Sequence, residues 1–255
     1  NGGDGLVAGR ILADAGHEVH VYLWKRPEMG DDEHLAQVSQ AGATIHSHSS
    51  DPSLNTLNDI ATRADVIIDA LLGTGAKGAL RDGAGEILTT ISTAVSQRRA
   101  LPGRTLYPVG YAPGGCQPAR VPLIVAVDVP SGLDADIGEI DPRALHADIC
   151  ITFAYPKRGH FIFPGAAHVG ELFVANLGTQ EQLADAVQSS VVTDREIQSR
   201  LGARPPDAHK GSFGKVMVVA GSSNYVGAPA LAARAAYRSG AGLVTLATPG
   251  PLHTA

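Results

Sequence analysis

The chain has 255 residues, room for one large domain or two smaller ones of ~100–200 residues each, and its 44% apolar and 18% charged composition excludes disordered and collagen-like classes. Lysine plus arginine total 20 against 25 aspartates plus glutamates, and the resulting charge of −5 argues against a general electrostatic grip on nucleic acid or anionic membrane. The two cysteines, Cys116 and Cys150, build no disulfide framework and lack metal-ligand spacing, so a soluble protein of a reducing, cytoplasmic compartment acting on a small molecule is expected.

Asn1-Gly2-Gly3-Asp4-Gly5 reads as a glycine-rich loop, followed by Leu6, Val7, Ile11 and Leu12 at helical spacing up to Gly16, and then by an alternating strand from His17 to Leu23. The opening residues carry no basic and apolar leader pattern, so no targeting segment is expected within the chain. Leu54 to Ala64 reads as a helix. Asp65 to Leu72 reads as a continuous apolar strand of the kind buried in parallel sheets, ending in Gly73-Thr74-Gly75. A helix over Ile87 to Gln97 and strands over Val121 to Val127, Ala147 to Phe153 and Gly170 to Ala175 complete an alternating α/β pattern. Residues Arg98 to Pro122, with Pro102, Pro108, Pro113 and several glycines, read as a solvated surface insertion rather than a basic recognition arm.

The composition shifts after a helix-like stretch from Asp194 to Leu201, where Gly202, Pro205 and Pro206 mark a linker. The reading is therefore a first domain over 1–200 and the opening of a second over 201–255. The second begins with a strand (Lys215 to Ala220), a small-residue turn, a helix (Ala228 to Ser239) and a strand (Leu243 to Ala247). One βαβ unit cannot cover both faces of its sheet, so the beginning of a longer domain is expected.

Chemistry gathers at strand ends. The glycines of Asn1 to Gly5 before a helix can present several N–H groups to an anion, although the spacing is not that of a dinucleotide fingerprint and a plain turn is the alternative. Gly73-Thr74-Gly75 stands at the carboxyl end of a strand, where open α/β sheets place their ligand crevice. Asp69, inside an apolar strand, needs a partner or a cation, or else caps a neighbouring helix. Asp128 and Ser131 close another strand, and a clustered carboxylate in a half-buried cleft is suited to proton transfer. Asp134, Asp136 and Glu139 read as solvated turn acids, and Lys157 either fixes a phosphate, polarises an oxygen or stands as a surface lysine. His46 and His48 look like a metal pair without a third ligand, which favours exposed strand-end histidines, and His160 and His168 stay undecided. The sequence holds no Gly-x-Ser-x-Gly elbow, P-loop or zinc signature.

Taken in order, Asn1-Gly2-Gly3-Asp4-Gly5, Asp69-Ala70-Leu71-Leu72-Gly73-Thr74-Gly75, Val127-Asp128-Val129-Pro130-Ser131-Gly132-Leu133-Asp134-Ala135-Asp136 and Pro156-Lys157-Arg158-Gly159 resemble the NAD(P)H-hydrate epimerases. His209-Lys210-Gly211-Ser212-Phe213-Gly214-Lys215, Ala220-Gly221-Ser222 and Arg238 to Thr245 resemble the start of the ADP-dependent NAD(P)H-hydrate dehydratases, with which the epimerases are fused in bifunctional repair enzymes. The resemblance implies a Rossmann-like three-layer domain with a mostly parallel sheet, followed by the start of a ribokinase-like α/β domain. It implies an isomerase interconverting the R and S hydrates of NADH and NADPH, feeding a lyase that dehydrates the S form.

The carried-over site comprises potassium ligands at Asn1, Asp69 and Ser131, and substrate contacts at Gly2, Gly3, Asp4, Asp128 and the stretch Gly73, Thr74, Gly75, Ala76, Lys77, Gly78 and Ala79. Asp128 is the acid/base and Lys157 stabilises charge near phosphate or hydroxyl. ADP or ATP serves the dehydratase portion, most of whose nucleotide site is expected beyond this sequence, and the family places a further strand ahead of Asn1. The implied partner is a hydrated nicotinamide nucleotide, with no nucleic acid and no membrane, while self-association stays open. Two rivals remain: a non-enzymatic scaffold, since relatives of the epimerase fold serve in lipoprotein partnering and mRNA decapping, and a ribokinase-like small-molecule kinase.

Overall fold

Parallel strands joined by helices run through both parts of the molecule, and the computed structural model describes residues 2–26, 32–81, 83–100, 105–106, 119–120, 122–179, 187 and 189–250. Two compact units divide the chain, residues 1–183 and 184–255.

The first unit opens with helix α1 (Gly2–Asp14), strand β1 (His20–Leu23), helix α2 (Glu33–Gln40) and strand β2 (Thr44–Ser47), in which β1 and β2 pair in parallel. Leu6 of α1 and Val38 of α2 are buried together with Leu23 and Ala43 in a small cluster. Two corrections to the sequence reading fall here. Gly2 to Gly5 already lie in α1 rather than in a loop, and α2 and β2 were not foreseen. The α2 start is capped by Asp32, whose carboxylate accepts the Leu35 N–H at 3.2 Å.

Helix α3 (Asn55–Arg63), strand β3 (Val66–Asp69) and helix α4 (Ala84–Ala100) follow. Leu54, at the α3 N-cap, has a left-handed φ of 55° and no capping side chain, and Asp51 instead accepts the N–H groups of Thr56 and Leu57 at 3.2 and 3.0 Å. Strand β3 is shorter than the sequence suggested and is not wholly buried, since Val66 is 47% exposed. Strands β4 (Thr105–Leu106) and β5 (Ala119–Arg120) pair antiparallel within the expected insertion, the rest of which lies outside the described residues.

Strands β6 (Leu123–Val127), β7 (Ile149–Phe153) and β8 (Glu171–Ala175) join β3 in a four-stranded parallel sheet of order β3-β6-β7-β8. Side chains alternate across such a sheet, so Ile124, Ala126 and Cys150 share one face, and they are buried with Leu88 and Val95 of α4, Val129 and Leu133. Among the described residues, no helix is long and apolar enough to cross a membrane.

The second unit holds helix α5 (Asp194–Arg200), strand β9 (Lys215–Val219), helix α6 (Gly227–Arg238) and strand β10 (Leu243–Ala247). Thr193 caps α5 by accepting the Glu196 N–H at 3.2 Å. β9 and β10 pair in parallel from Lys215↔Leu243 to Val219↔Ala247, the βαβ unit read from the sequence. The mixed α/β class with parallel sheets thus holds in both units.

Candidate active site

Register brings the site together. Asp69, the last residue of β3, pairs with Ala126 of β6, and Val127 pairs with Ile151 of β7, so the carboxyl ends of three neighbouring parallel strands meet at one edge. Helix α1 reaches the same edge through a close backbone approach: a Cβ at Gly5 would lie 2.6 Å from that of Ala70, the residue after β3. Gly2, Gly3 and Asp4 lie in the described part of α1, on the helix that meets this edge. Asn1 lies outside the described residues.

Asp69 and Ser131 are bonded to each other. The Ser131 hydroxyl donates to Asp69 Oδ1 at 2.5 Å and its N–H to Oδ2 at 2.9 Å, while the Leu71 N–H adds a longer contact of 3.4 Å. The same hydroxyl accepts the Leu72 N–H at 2.9 Å. Burial pushes the Asp69 carboxyl above its usual range, against the lowering effect of the Ser131 and Leu71 donors. Among the described residues no cationic side chain pairs with it.

Asp128 and Lys157 also meet. Asp128 follows β6 with φ at +68°, a left-handed conformation uncommon for an aspartate and typical of strained functional positions. Its Oδ1 accepts from Lys157 Nζ at 2.5 Å and from Thr152 Oγ1 at 2.9 Å, with the Phe153 N–H at 3.5 Å. Lys157 Nζ also donates to Thr152 Oγ1 at 2.8 Å and to the Phe153 carbonyl at 3.2 Å. Burial alone would raise the Asp128 pKa, but the Lys157 ammonium and the Thr152 hydroxyl outweigh it and hold the carboxyl below the usual range. The carboxylate is therefore ionised near neutrality, and its contacts fall on one oxygen.

Residues 73–79 follow β3, exposed at all positions but the half-buried Gly73 and Ala76. Lys77 reaches Asp136 at 2.8 Å, an ion pair in which both side chains are mostly exposed. At the end of the stretch the Leu80 N–H donates to Asp141 at 2.8 Å, and Arg143 clamps the same carboxylate while donating to the Leu80 carbonyl at 2.9 Å. The Arg143 guanidinium beside buried Asp141 holds that carboxyl far below the usual range.

Several sequence readings need correction. Asp134 is not solvated: it is 9% exposed and accepts the N–H groups of Asp136 and Ile137, a turn closed by a side chain, whereas Asp136 and Glu139 are exposed as expected. His46 and His48 are half-buried rather than exposed, and His46 stacks on His20 with a ring nitrogen contact of 3.1 Å. Among the described residues no three or more His, Cys, Asp or Glu side chains gather as a metal site. The sequence reading passed over Thr152, which faces Asp128 beside Lys157, and left undecided His160, which is buried against both. The period-two alternation of β7, which puts Thr152 on the face of buried Cys150, was the available signal for the first.

An α/β fold that sets a carboxylate–ammonium pair at the carboxyl edge of its parallel strands is the class of protein these features define. The chain belongs to the family described as YjeF-related protein N-terminus, which matches residues 1–159. A second family, described as NAD(P)H-hydrate dehydratase, matches residues 216–254. The chain is 35% identical over 254 residues to the bifunctional NAD(P)H-hydrate repair enzyme Nnr of Moorella thermoacetica, covering 98% of this chain and 43% of that protein. It is 36% identical over 250 residues to the protein of the same name from Hyperthermus butylicus, covering 98% and 40%. The Methanothermobacter thermautotrophicus protein of that name is 33% identical over 255 residues, covering 98% and 43%. The chain thus spans less than half the length of these relatives. A crystal structure of a yeast protein, ynu0, superimposes with a TM-score of 0.46 and 20% identity over 68% of this chain and 60% of that one.

Proposed function

We propose that residues 1–200 carry an NAD(P)H-hydrate epimerase, an isomerase of damaged nicotinamide nucleotides, and that residues 201–255 begin an ADP-dependent NAD(P)H-hydrate dehydratase, a lyase that in the intact protein consumes the S hydrate. The observation that carries this reading is the Asp128–Lys157 pair at the tip of β6, set in a chain whose two family matches follow the order of the bifunctional repair enzymes. ADP or ATP would serve the dehydratase portion, and the expected setting is cytoplasmic.

The substrate carries a hydroxyl on the ring carbon beside the nitrogen, and inverting that carbon needs proton transfer, whether water leaves and returns or the ring opens and closes. In the ring-opening route an ionised Asp128 would take the hydroxyl proton as the carbonyl forms and the ring C–N bond breaks, pass it to the nitrogen that keeps the bonding pair, and reverse the step when the nitrogen closes on the other carbonyl face. Lys157, with its ammonium already at that carboxylate, offsets negative charge that develops on the reacting oxygen. Gly2, Gly3 and Asp4 of α1 and the stretch Gly73 to Ala79 would bind the nucleotide.

Asp69 and Ser131 fit a potassium ion: both offer buried oxygens, and Asp69 is a carboxylate whose charge burial disfavours and no side-chain cation balances among the described residues. Asn1 would complete the set. When bound, the ion supplies a fixed positive charge at the crevice floor.

The test is chromatographic separation of the two hydrate epimers over time with the intact protein, beside its Asp128→Asn variant. The reading expects interconversion by the parent and a rate lower by about 10²–10⁴-fold in a folded variant. Equal rates with and without the parent protein would refute it.

A further inference from the structure

We infer that His160 is the positioning residue of the Asp128–Lys157 pair, one buried imidazole holding the backbone of both at the separation at which their side chains meet. His160 is 3% exposed and lies in a short 3₁₀ turn, Arg158–His160, directly after Lys157. Its Nδ1 accepts the backbone N–H of Lys157 at 3.1 Å. A nitrogen that accepts from an amide carries no proton, so the ring proton sits on Nε2, which donates to the Asp128 carbonyl at 3.0 Å. Both ring nitrogens are thereby used, and both on main-chain groups of residues that pair through their side chains.

The local backbone needs such a clamp. Asp128 is held at a φ of +68°; its N–H still donates to the Ile151 carbonyl of β7 at 2.8 Å, but among the described residues its carbonyl takes no backbone N–H and is left to side chains. The Cys150 thiol adds a weaker contact to the same carbonyl at 3.5 Å and lies 3.9 Å from His160 Nε2. Close backbone packing seats the turn: a Cβ at Gly159 would fall 2.4 Å from the Asp134 carbonyl. The charged and titratable groups facing the ring are Asp128 after β6, Lys157 ahead of the turn, and Cys150 of β7. Burial lowers the His160 pKa, which keeps the ring neutral and leaves Nδ1 able to accept.

Consequently the ring sets where the Lys157 ammonium begins its reach to Oδ1. A displacement of about 1 Å in such a pair costs on the order of 10²-fold in rate. The role concerns the pair's geometry and rests on the epimerase reading only for its effect on turnover.

The experiment uses the intact protein with His160→Leu, which removes donor and acceptor, and His160→Gln, whose amide offers both. Carbon-detected NMR follows the Asp128 carboxyl titration, and epimer chromatography gives kcat and KM. In the parent and His160→Gln, Asp128 titrates below the ordinary value of about 3.9; in His160→Leu it rises toward it. In His160→Leu, kcat falls on the order of 10²-fold with KM changed less than about twofold, and His160→Gln restores most of it. An unmoved Asp128 titration in folded His160→Leu, or a His160→Gln variant as impaired as His160→Leu, overturns the inference. So does a ring nitrogen spectrum of the parent showing the proton on Nδ1 or on both nitrogens near neutral pH, a measurement that needs no variant to fold. If the titrations move as expected while the parent converts no epimer, the positioning role stands and the epimerase reading falls.

Discussion

Ser131 grips both carboxylate oxygens of Asp69, through its hydroxyl at 2.5 Å and its N–H at 2.9 Å, and so ties the loop after β6 to the tip of β3. Replacing Ser131 by alanine removes one donor to a buried carboxylate and the acceptor of the Leu72 N–H. Ser131→Ala is expected to lose about 1–3 kcal/mol of unfolding free energy, read by urea denaturation. A midpoint equal to that of the parent would show that the hydroxyl contributes nothing there.

Asp69→Ala addresses the cation. Potassium bound only to the native state raises stability with concentration, so the parent's thermal midpoint should climb with potassium, sodium replacing it at equal ionic strength as control. In the variant that rise disappears. A variant whose midpoint still tracks potassium as the parent's does would place the ion elsewhere.

Asp141 gives a pH prediction. Its carboxyl is held far below its unfolded value, chiefly by Arg143, so its contribution is complete above the unfolded pKa of about 3.9 and drains away as pH falls below that toward the folded value. Urea midpoints at pH 7 and at about pH 3 should differ more for the parent than for Asp141→Asn, which has no such proton to bind. Parallel pH profiles for the two proteins would remove Asp141 from the acid response.

Gly5 and Gly9 sit on one face of α1 and should respond in opposite ways to alanine. Each exchange gains about 1 kcal/mol of helix propensity. At Gly5 the new Cβ would meet Ala70 Cβ at 2.6 Å, an overlap costing about 1–3 kcal/mol, whereas at Gly9 the nearest atom, of Val38, is 3.4 Å away. Thermal melts should show Gly5→Ala below the parent and Gly9→Ala at or above it. A stabilised Gly5→Ala would mean that α1 is free to move off the end of β3.

Legibility of the fold followed apolar periodicity. Strands β6, β7 and β10 and helix α3 stood out because their apolar residues run or recur without interruption, and burial agrees with that pattern for Ile124, Ala126 and Leu57. Helix α2, eight residues long with Leu35 and Val38 buried, carries a period much like that of α3 and was not picked out. The glycines of α1 argued for a loop because propensity disfavours them in helices, and the competing cause, close contact with Ala70, is tertiary. At the site, Asp69, Asp128, Ser131 and Lys157 were visible as polar residues at apolar strand ends. Their pairing into two bonded couples depends on sheet order β3-β6-β7, which no local pattern encodes. The function of His160 was invisible for the same reason, since its partners are main-chain atoms whose identity depends on the turn around it.

The stretch from Gly73 to Leu80 is fastened unequally. Its far end at Leu80 is anchored to Asp141 and Arg143 by hydrogen bonds on both N–H and carbonyl, while its middle is held at Lys77 by a solvent-exposed ion pair with Asp136. Such a surface pair contributes less than about 1 kcal/mol and weakens with salt. Added salt therefore loosens the hold at Lys77 while leaving the buried attachment at Leu80 in place.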